Sequence, residues 1–385
     1  MLITRLKLKN WRNFVQVDVP MRDRVYLIGA NASGKSNLLD ALRFLRDIAK
    51  PDGGGFQKAV KDRGGVPKIR CLAARKDPKV LIEIELSETV DAPPKWLYRL
   101  EFRSEGKGLQ RALVNSEYIA NLHTGWKHVR PSAEETKDPA QLTQTAIEQI
   151  ALNQRFREVA EFLTTITYLH LVPQLLKYGE QMGGYRLESD PFGQGFLERV
   201  GATPARTRDA RLRKIEVALR ACVPKMRDLR YEQDEKGKPH LQALYEHWRP
   251  DAGVQREEQF SDGTLRLLGI MWSLLDGDTL LLLEEPELSL NEEVVRRIPS
   301  LIWRMQRDAK HRRQILISTH SEALLSDRGI DPREVLRLEP SENGTQVLSA
   351  SAQERDLVAS GYSVGQVMLP KVKPSNIDQL SLFGS

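Results

Sequence analysis

Gly29-Ala30-Asn31-Ala32-Ser33-Gly34-Lys35-Ser36 follows the pattern G-x-x-x-x-G-K-S/T, and its reading decides the fold. A loop of this kind turns back on itself so that consecutive backbone N–H groups face one set of phosphate oxygens. Gly29 and Gly34 permit the turn and the close approach. Lys35 can reach phosphate as a point charge, and the Ser36 hydroxyl can ligate Mg²⁺. Residues 24–28 read as a buried strand. Residues 36–48 read as an amphipathic helix with Leu38, Leu39, Leu42, Phe44 and Leu45 on its apolar side. Strand, glycine loop and helix together aim a positive helix end at phosphate, with Asn37 in the first turn. The bland alternative is a glycine turn between two core elements.

A second informative block lies between residues 260 and 340. Thr279-Leu280-Leu281-Leu282-Leu283-Glu284-Glu285-Pro286-Glu287 is a short apolar run ending in two carboxylates. A fully buried parallel strand reads this way, and its C-terminal end is where an α/β sheet presents ligand groups. One carboxylate can hold the Mg²⁺ shell and the next can orient and deprotonate water; both can also cap a following helix. Downstream, Gln314-Ile315-Leu316-Ile317-Ser318-Thr319-His320-Ser321 is a further buried strand ending in Thr-His-Ser. His320 can bond a γ-phosphate, although a histidine at a strand end is also a common structural residue. Upstream, Phe260-Ser261-Asp262-Gly263-Thr264 opens an apolar helix over residues 265–275. It offers either an anion-binding helix end or a simple N-cap.

The remainder frames these motifs. With 385 residues and 40% apolar composition, the chain can build two or three units around sizeable cores. Residues 2–9 and 15–19 alternate as half-buried strands, and glycines at 53–55 and 64–65 bracket a flexible segment. Strands are expected over 69–72, 80–86, 96–102 and 112–119, forming an antiparallel sheet. Helix is expected over 133–165, with loops at 183–184 and 191–195. A basic helix is expected over 205–221, and a hairpin around Gly237. Asp276-Gly277-Asp278 reads as a turn. Two cysteines, Cys71 and Cys222, give no disulfide framework, so a reducing cytoplasm is the expected setting, and no apolar run spans a bilayer.

Taken in order, these motifs resemble the ABC-type ATPases that act on DNA, in the RecF/SMC/OLD-like group and its compact AAA family ATPases. The opening Leu6-Lys7-Leu8-Lys9-Asn10-Trp11-Arg12-Asn13-Phe14 resembles that group's Asn-Phe-Arg-Asn-Tyr start, and the likeness runs to about residue 340. It implies an α/β, two-lobed ABC-type P-loop ATPase with an antiparallel β-subdomain and a helical insertion. Residues 1–130 would form lobe I with the loop and the sheet. Residues 131–255 would be the insertion and the start of lobe II. Residues 256–345 would carry the signature, the acids and the histidine, and 346–385 a C-terminal extension. The resemblance implies ATP and Mg²⁺ at residues 29–37. Lys35, Glu285 and His320 take the catalytic positions, and Ser36 and Glu284 the metal side. Ser261 and Gly263 would meet the nucleotide of a second protomer, so ATP is sandwiched in a head-to-tail homodimer. Gln174, in Tyr168-Leu169-His170-Leu171-Val172-Pro173-Gln174, is placed like the glutamine between the lobes that reaches the metal. Arg12 and Asn13 would lie near the nucleobase.

Three departures qualify the likeness. Glu284 stands where most of the class has Asp. Leu288-Ser289-Leu290-Asn291 lacks the His-Pro that many relatives carry after the acids. Neither a long coiled coil nor an OLD-type nuclease module is visible. The expected function is therefore ATP hydrolysis coupled to dimerisation, in DNA repair or defence against foreign DNA, with a nuclease or other effector supplied by a separate chain. The net charge of +6 suits DNA as a partner. Phosphate contacts are expected from Arg206, Arg208, Arg211, Arg213, Lys214 and Arg220, or from Arg304, Arg307, Lys310, His311, Arg312 and Arg313; solvated helix faces are the alternative. The rival reading is a regulatory ATP sensor that gates a separate nuclease or toxin without binding DNA. A transporter subunit fits less well, because such subunits usually carry Asp-Glu-Pro where this chain has Glu284-Glu285-Pro286. Finally, Gln379-Leu380-Ser381-Leu382-Phe383 resembles the bacterial sliding-clamp-binding pentapeptide. The glutamine can bond a groove rim while Leu380, Leu382 and Phe383 supply apolar anchors, or the same residues can fold back on their own core.

Overall fold

The alternating N-terminus forms β1 (Leu2–Trp11) in the computed structural model, with Leu2, Ile3, Leu6 and Leu8 buried. The structure describes residues 1–106, 110–179, 190–249, 253–277, 279–307 and 313–373. β1 turns into β2 (Phe14–Pro20), and β3 (Arg24–Gly29) enters the glycine loop ahead of α1 (Lys35–Ala49). Two short helices, α2 (Phe56–Lys61) and α3 (Val66–Ile69), precede β4 (Val80–Ser87), β5 (Trp96–Ser104), β6 (Ala112–Asn121) and β7 (Lys127–Arg130). After α4 (Arg157–Thr164) come β8 (Thr167–Leu169), α5 (Pro173–Tyr178), α6 (Phe196–Ala202) and α7 (Ala205–Leu219). The hairpin of β9 (Met226–Gln233) and β10 (Pro239–Tyr245) is followed by β11 (Val254–Arg256), α8 (Asp262–Leu275), β12 (Leu281–Glu284), α9 (Glu292–Val295) and α10 (Ile298–Arg307). The remaining elements are β13 (Ile315–Thr319), α11 (Glu322–Leu325), β14 (Val335–Ser341), β15 (Gly344–Ser349), α12 (Ala352–Ala359) and α13 (Val364–Met368). The fold is the mixed α/β type expected of an ABC-type P-loop ATPase. Among the described residues no helix is long and apolar enough to cross a membrane.

The described residues divide into two compact units. One comprises Met1–Ile166, Gln314–His320 and the chain from Ile330 on; the other comprises Thr167–Arg313 and Ser321–Gly329. In the first unit an antiparallel sheet runs in the order β2-β1-β4-β5-β6-β7. In a second sheet β3 lies between β13 and β14, parallel to both, with β15 antiparallel on β14. α1 buries Leu38, Leu39, Leu42, Phe44 and Leu45, the apolar side its periodicity defines. Phe44 packs 5.2 Å from the Trp11 ring and 5.5 Å from Phe102, which fastens α1 to the antiparallel sheet. In the second unit β12 is parallel to β8, and β11-β10-β9 form an antiparallel sheet. α8 buries every residue from Thr264 to Ser273.

Two expected elements differ. Residues 69–72 are not a strand: Pro67 at the start of α3, entered from Gly65 at φ +88°, favours a helical turn, and only Arg70 bridges to Trp11. Residues 133–165 are turns and 3₁₀ segments, with α-helix only over α4. There the backbone N–H groups go to carboxylates instead of a helical ladder. Glu117 accepts from Ala146 N, Asp138 from Ala140 N and Glu148 from Thr145 N. The stretch between the glycine clusters carries α2, with Phe56 buried and its N–H donated to Glu148. The expected loop at residues 183–184 lies outside the described residues.

Candidate functional site

In the first unit, β3 is buried throughout and delivers Gly29 to the loop. A Cβ at Gly29 would run into Ser33 Oγ and come within 2.9 Å of Leu338 O; one at Gly34 would run into the Asn13 amide, and Gly34 sits at φ +103°. Ala32 also lies in the left-handed region, at φ +61°. Lys35 is buried, and its Nζ donates to Gly29 O at 2.8 Å and Ala30 O at 3.2 Å, holding the ammonium over the loop. No side chain caps α1 at Gly34, so its first N–H groups and its dipole face the loop.

Asn13 braces this loop from outside. Its Nδ2 donates to Ser33 O at 2.9 Å and Thr345 Oγ1 at 2.7 Å, while its Oδ1 accepts from Asn37 Nδ2 at 2.8 Å. Trp11 Nε1 donates to Asn37 O at 2.8 Å. Arg12 is held by Asp40 Oδ2 and Lys68 O, both at 3.2 Å. The structure thus sets Arg12 and Asn13 against the loop and the first turns of α1. The register of β13 on β3 pairs Thr319 with Ile28, so the exposed His320 comes level with Gly29.

The second unit gathers the other candidates. β8 and β12 are paired so that Leu282 faces Tyr168, and the Tyr168 hydroxyl donates to Glu284 Oε2. Glu285 follows at φ +45°, a left-handed conformation costly for a residue with a side chain. Arg266 Nη1 donates to Glu285 O at 3.4 Å. Burial pushes the Arg266 guanidinium below the usual arginine range, against the pull of Glu287, Asp262 and Glu285. Ser261 caps α8, accepting from Thr264 N at 3.2 Å. A Cβ on Gly263 would sit only 3.1 Å from Ser289 O, so the acid loop closes on the start of this helix. Asp262 accepts from Gln174 Nε2 at 2.8 Å and Lys177 Nζ at 3.0 Å. Gln174 therefore meets the signature segment, a link its sequence position does not disclose.

The candidates fall into two groups. The loop, Arg12, Asn13 and His320 belong to the first unit; Gln174, Ser261, Gly263, Glu284 and Glu285 belong to the second. Sequence reasoning missed Tyr168, Lys177 and Asp262 as site residues. The Glu at position 284 was the available signal for Tyr168. Of the basic segments, Arg313 is buried and donates to the carbonyls of Thr279, Ser273 and Asp276, so it is a structural staple and not a phosphate contact. Lys310, His311 and Arg312 lie outside the described residues. On α7, Arg208 stacks on Tyr231, Arg211 pairs with Asp276 and Arg220 with Glu216. Arg206, Arg213 and Lys214 stay exposed.

The donor set fits the phosphates of a nucleotide. The cradle at Gly29 and Gly34 admits no Cβ, a buried ammonium lies across it, and a helix N-terminus opens onto it. Such a strand, loop and helix, beside a parallel strand that leads into His320, define a P-loop ATPase. The family described as "AAA domain, putative AbiEii toxin, Type IV TA system" matches residues 25–326, and the chain belongs to it. "P-loop containing region of AAA domain" matches residues 3–45. Within that class the chain is a compact ABC-type ATPase of the RecF/SMC group. It is 32% identical over 92 residues to the DNA replication and repair protein RecF of Roseiflexus castenholzii, covering 22% of this chain and 23% of that one. To RecF of Bacillus mycoides it is 27% identical over 89 residues, 23% and 24% of the two chains. The matches thus span about a quarter of those relatives. In fold the chain is similar to an Smc head bound to the C-winged helix domain of ScpA, with a TM-score of 0.57 at 15% identity over 92% of this chain and 99% of that one. The Smc head with an extended coiled coil from Pyrococcus furiosus, bound to the C-terminal domain of ScpA, gives 0.51 at 14% identity over 93% and 98%.

Proposed function

We propose that this chain binds ATP with Mg²⁺, hydrolyses it, and dimerises around the nucleotide in the cytoplasm, in DNA repair or defence against foreign DNA. The observation that carries the reading is the loop at residues 29–36, with Gly34 at φ +103° and the Lys35 ammonium drawn over its carbonyls. The backbone N–H groups of the loop cradle the phosphates, and Lys35 swings from Gly29 O to a phosphate oxygen. Magnesium, when bound, neutralises charge that develops on the phosphate oxygens. Ser36 of the first unit, and Glu284 and Gln174 of the second, are the residues that would hold it. Glu285 accepts a proton from the attacking water, and His320 donates a hydrogen bond to the transferring phosphoryl group. Ser261 and Gly263 offer the positive end of α8 to the nucleotide of a second protomer. Asn13 holds the loop in shape through Ser33, and Arg12 and Asn13 lie near the nucleobase.

DNA, with a nuclease or other effector from a separate chain, completes the proposal. The second reading, an ATP sensor that binds no DNA, draws support from α7, where Arg208, Arg211 and Arg220 are already engaged. Salt-dependent binding of a DNA duplex supports the first reading, and its absence the second. Residues 379–383, outside the described residues, are proposed to anchor a sliding clamp. Leu382→Ala with Phe383→Ala should abolish clamp capture and leave ATP turnover unchanged, and failure of the wild type to capture clamp removes this partner.

The direct test of hydrolysis uses two variants. Glu285→Gln should keep ATP binding and lose about a hundredfold in turnover, because it keeps the shape and removes the base. Lys35→Ala should lose binding itself. Wild-type turnover by Glu285→Gln would assign the base elsewhere.

A further inference from the structure

Beyond the nucleotide residues, the second unit carries a hollow of about 250 Å³ lined by Arg296, Arg297, Ser300, Ser326, Asp327 and Arg328. The lining comes from the junction of α9 and α10 and from the turn after α11. Three guanidiniums and one carboxylate share it, so the lining carries a net charge of about +2. The carboxylate is already committed within its own surroundings. Asp327 Oδ1 accepts from Gly329 N at 2.7 Å, and Oδ2 accepts from the Ser300 hydroxyl. Arg296 is tied to Glu292 and Glu293, whose side chains are well exposed. Among the described residues Arg297 and Arg328 have no carboxylate partner.

We propose that this hollow binds a phosphate-class dianion. The guanidinium fork matches phosphate oxygens in a bidentate manner, and a phosphate ester near pH 7 carries the charge that the lining lacks. Arg297 and Arg328 are both exposed and line the same hollow, so an anion there would meet two guanidiniums. The hollow is too polar for an apolar ligand, and its volume leaves room for the body to which the phosphate is attached. That body is either a free phosphate ester or the backbone of a nucleic acid. The site does not rest on the ATPase reading, since none of its residues belongs to the nucleotide machinery.

The experiment titrates inorganic phosphate into the full chain carrying Lys35→Ala, which silences the glycine loop, and follows binding by calorimetry. Saturable binding is expected, with a dissociation constant of millimolar order. Adding Arg297→Ala and Arg328→Ala should weaken it about tenfold or more at unchanged melting temperature, while Lys at both positions restores part of it. Displacement of phosphate by a short DNA duplex, lost in the double variant, assigns the site to nucleic-acid backbone; no displacement assigns it to a free phosphate ester. Absence of saturable binding, or binding indifferent to both arginine changes, overturns the proposal.

Discussion

Glu284 is one methylene longer than the Asp of most ABC-type ATPases, and the Tyr168 hydroxyl takes up the added reach by donating to its Oε2. In the proposed metal role of Glu284, the phenol would act as an outer partner that orients the carboxylate. Tyr168→Phe is therefore expected to keep ATP binding and to raise the Mg²⁺ concentration for half-maximal turnover by about tenfold. A Mg²⁺ dependence equal to wild type would reduce Tyr168 to a packing residue. Glu285, next in the chain, pays for its placement with a left-handed backbone at φ +45°, to which Arg266 donates through the Glu285 carbonyl. Asn13 acts at the same scale on the opposite group of candidates, joining Ser33, Asn37 and Thr345 through one amide.

At the scale of elements, carboxylates decide where regular structure stops. Glu117 on β6 is fully buried and accepts from Tyr98 Oη at 3.1 Å and from the N–H groups of Ala146 and Ile147, which ties the 145–148 turn to the sheet. Burial pushes its carboxyl up to about 7, although those N–H groups and Arg130 pull the other way. Glu334 is likewise pushed up to about 7 by burial, opposed by Arg24. Both folded values lie above the unfolded value of about 4.3. Their contribution to stability is thus fully present below that value and is lost as pH rises toward and through 7. Glu117→Gln removes one titration, so its stability relative to wild type should rise by the order of 2 kcal/mol between pH 5 and pH 8. Denaturant melts at the two pH values check this, and a constant difference contradicts it.

The same tie explains what could and could not be read from the sequence. β3, α1, β12 and β13 were legible because each is an uninterrupted apolar run or a clean helical stripe, and burial follows that pattern directly. Residues 133–165 misled because their apolar spacing suits a helix, whereas Glu117 reaches in from β6 and Glu148, within the segment, turns back on Thr145 to claim the N–H groups. The candidate site was legible where its chemistry is local, as in the loop. The Tyr168–Glu284 bond joins residues 116 apart and the Gln174–Asp262 bond residues 88 apart, so both depend on strand and helix neighbours that no local pattern specifies.

For the whole molecule, the two groups of candidates sit on separate units, and the account rests on a second copy supplying Ser261 and Gly263 to the nucleotide held by the loop. The proposed interface would form only when nucleotide is retained, because the γ-phosphate is what the α8 N-terminus would recognise. The net charge of +6 is compatible with the proposed DNA partner. The most direct measurement is the mass of Glu285→Gln by light scattering with and without ATP and Mg²⁺. The account predicts a shift to twice the chain mass of 43.8 kDa with ATP, abolished by adding Ser261→Arg. A chain that keeps ATP bound yet stays at 43.8 kDa would contradict it.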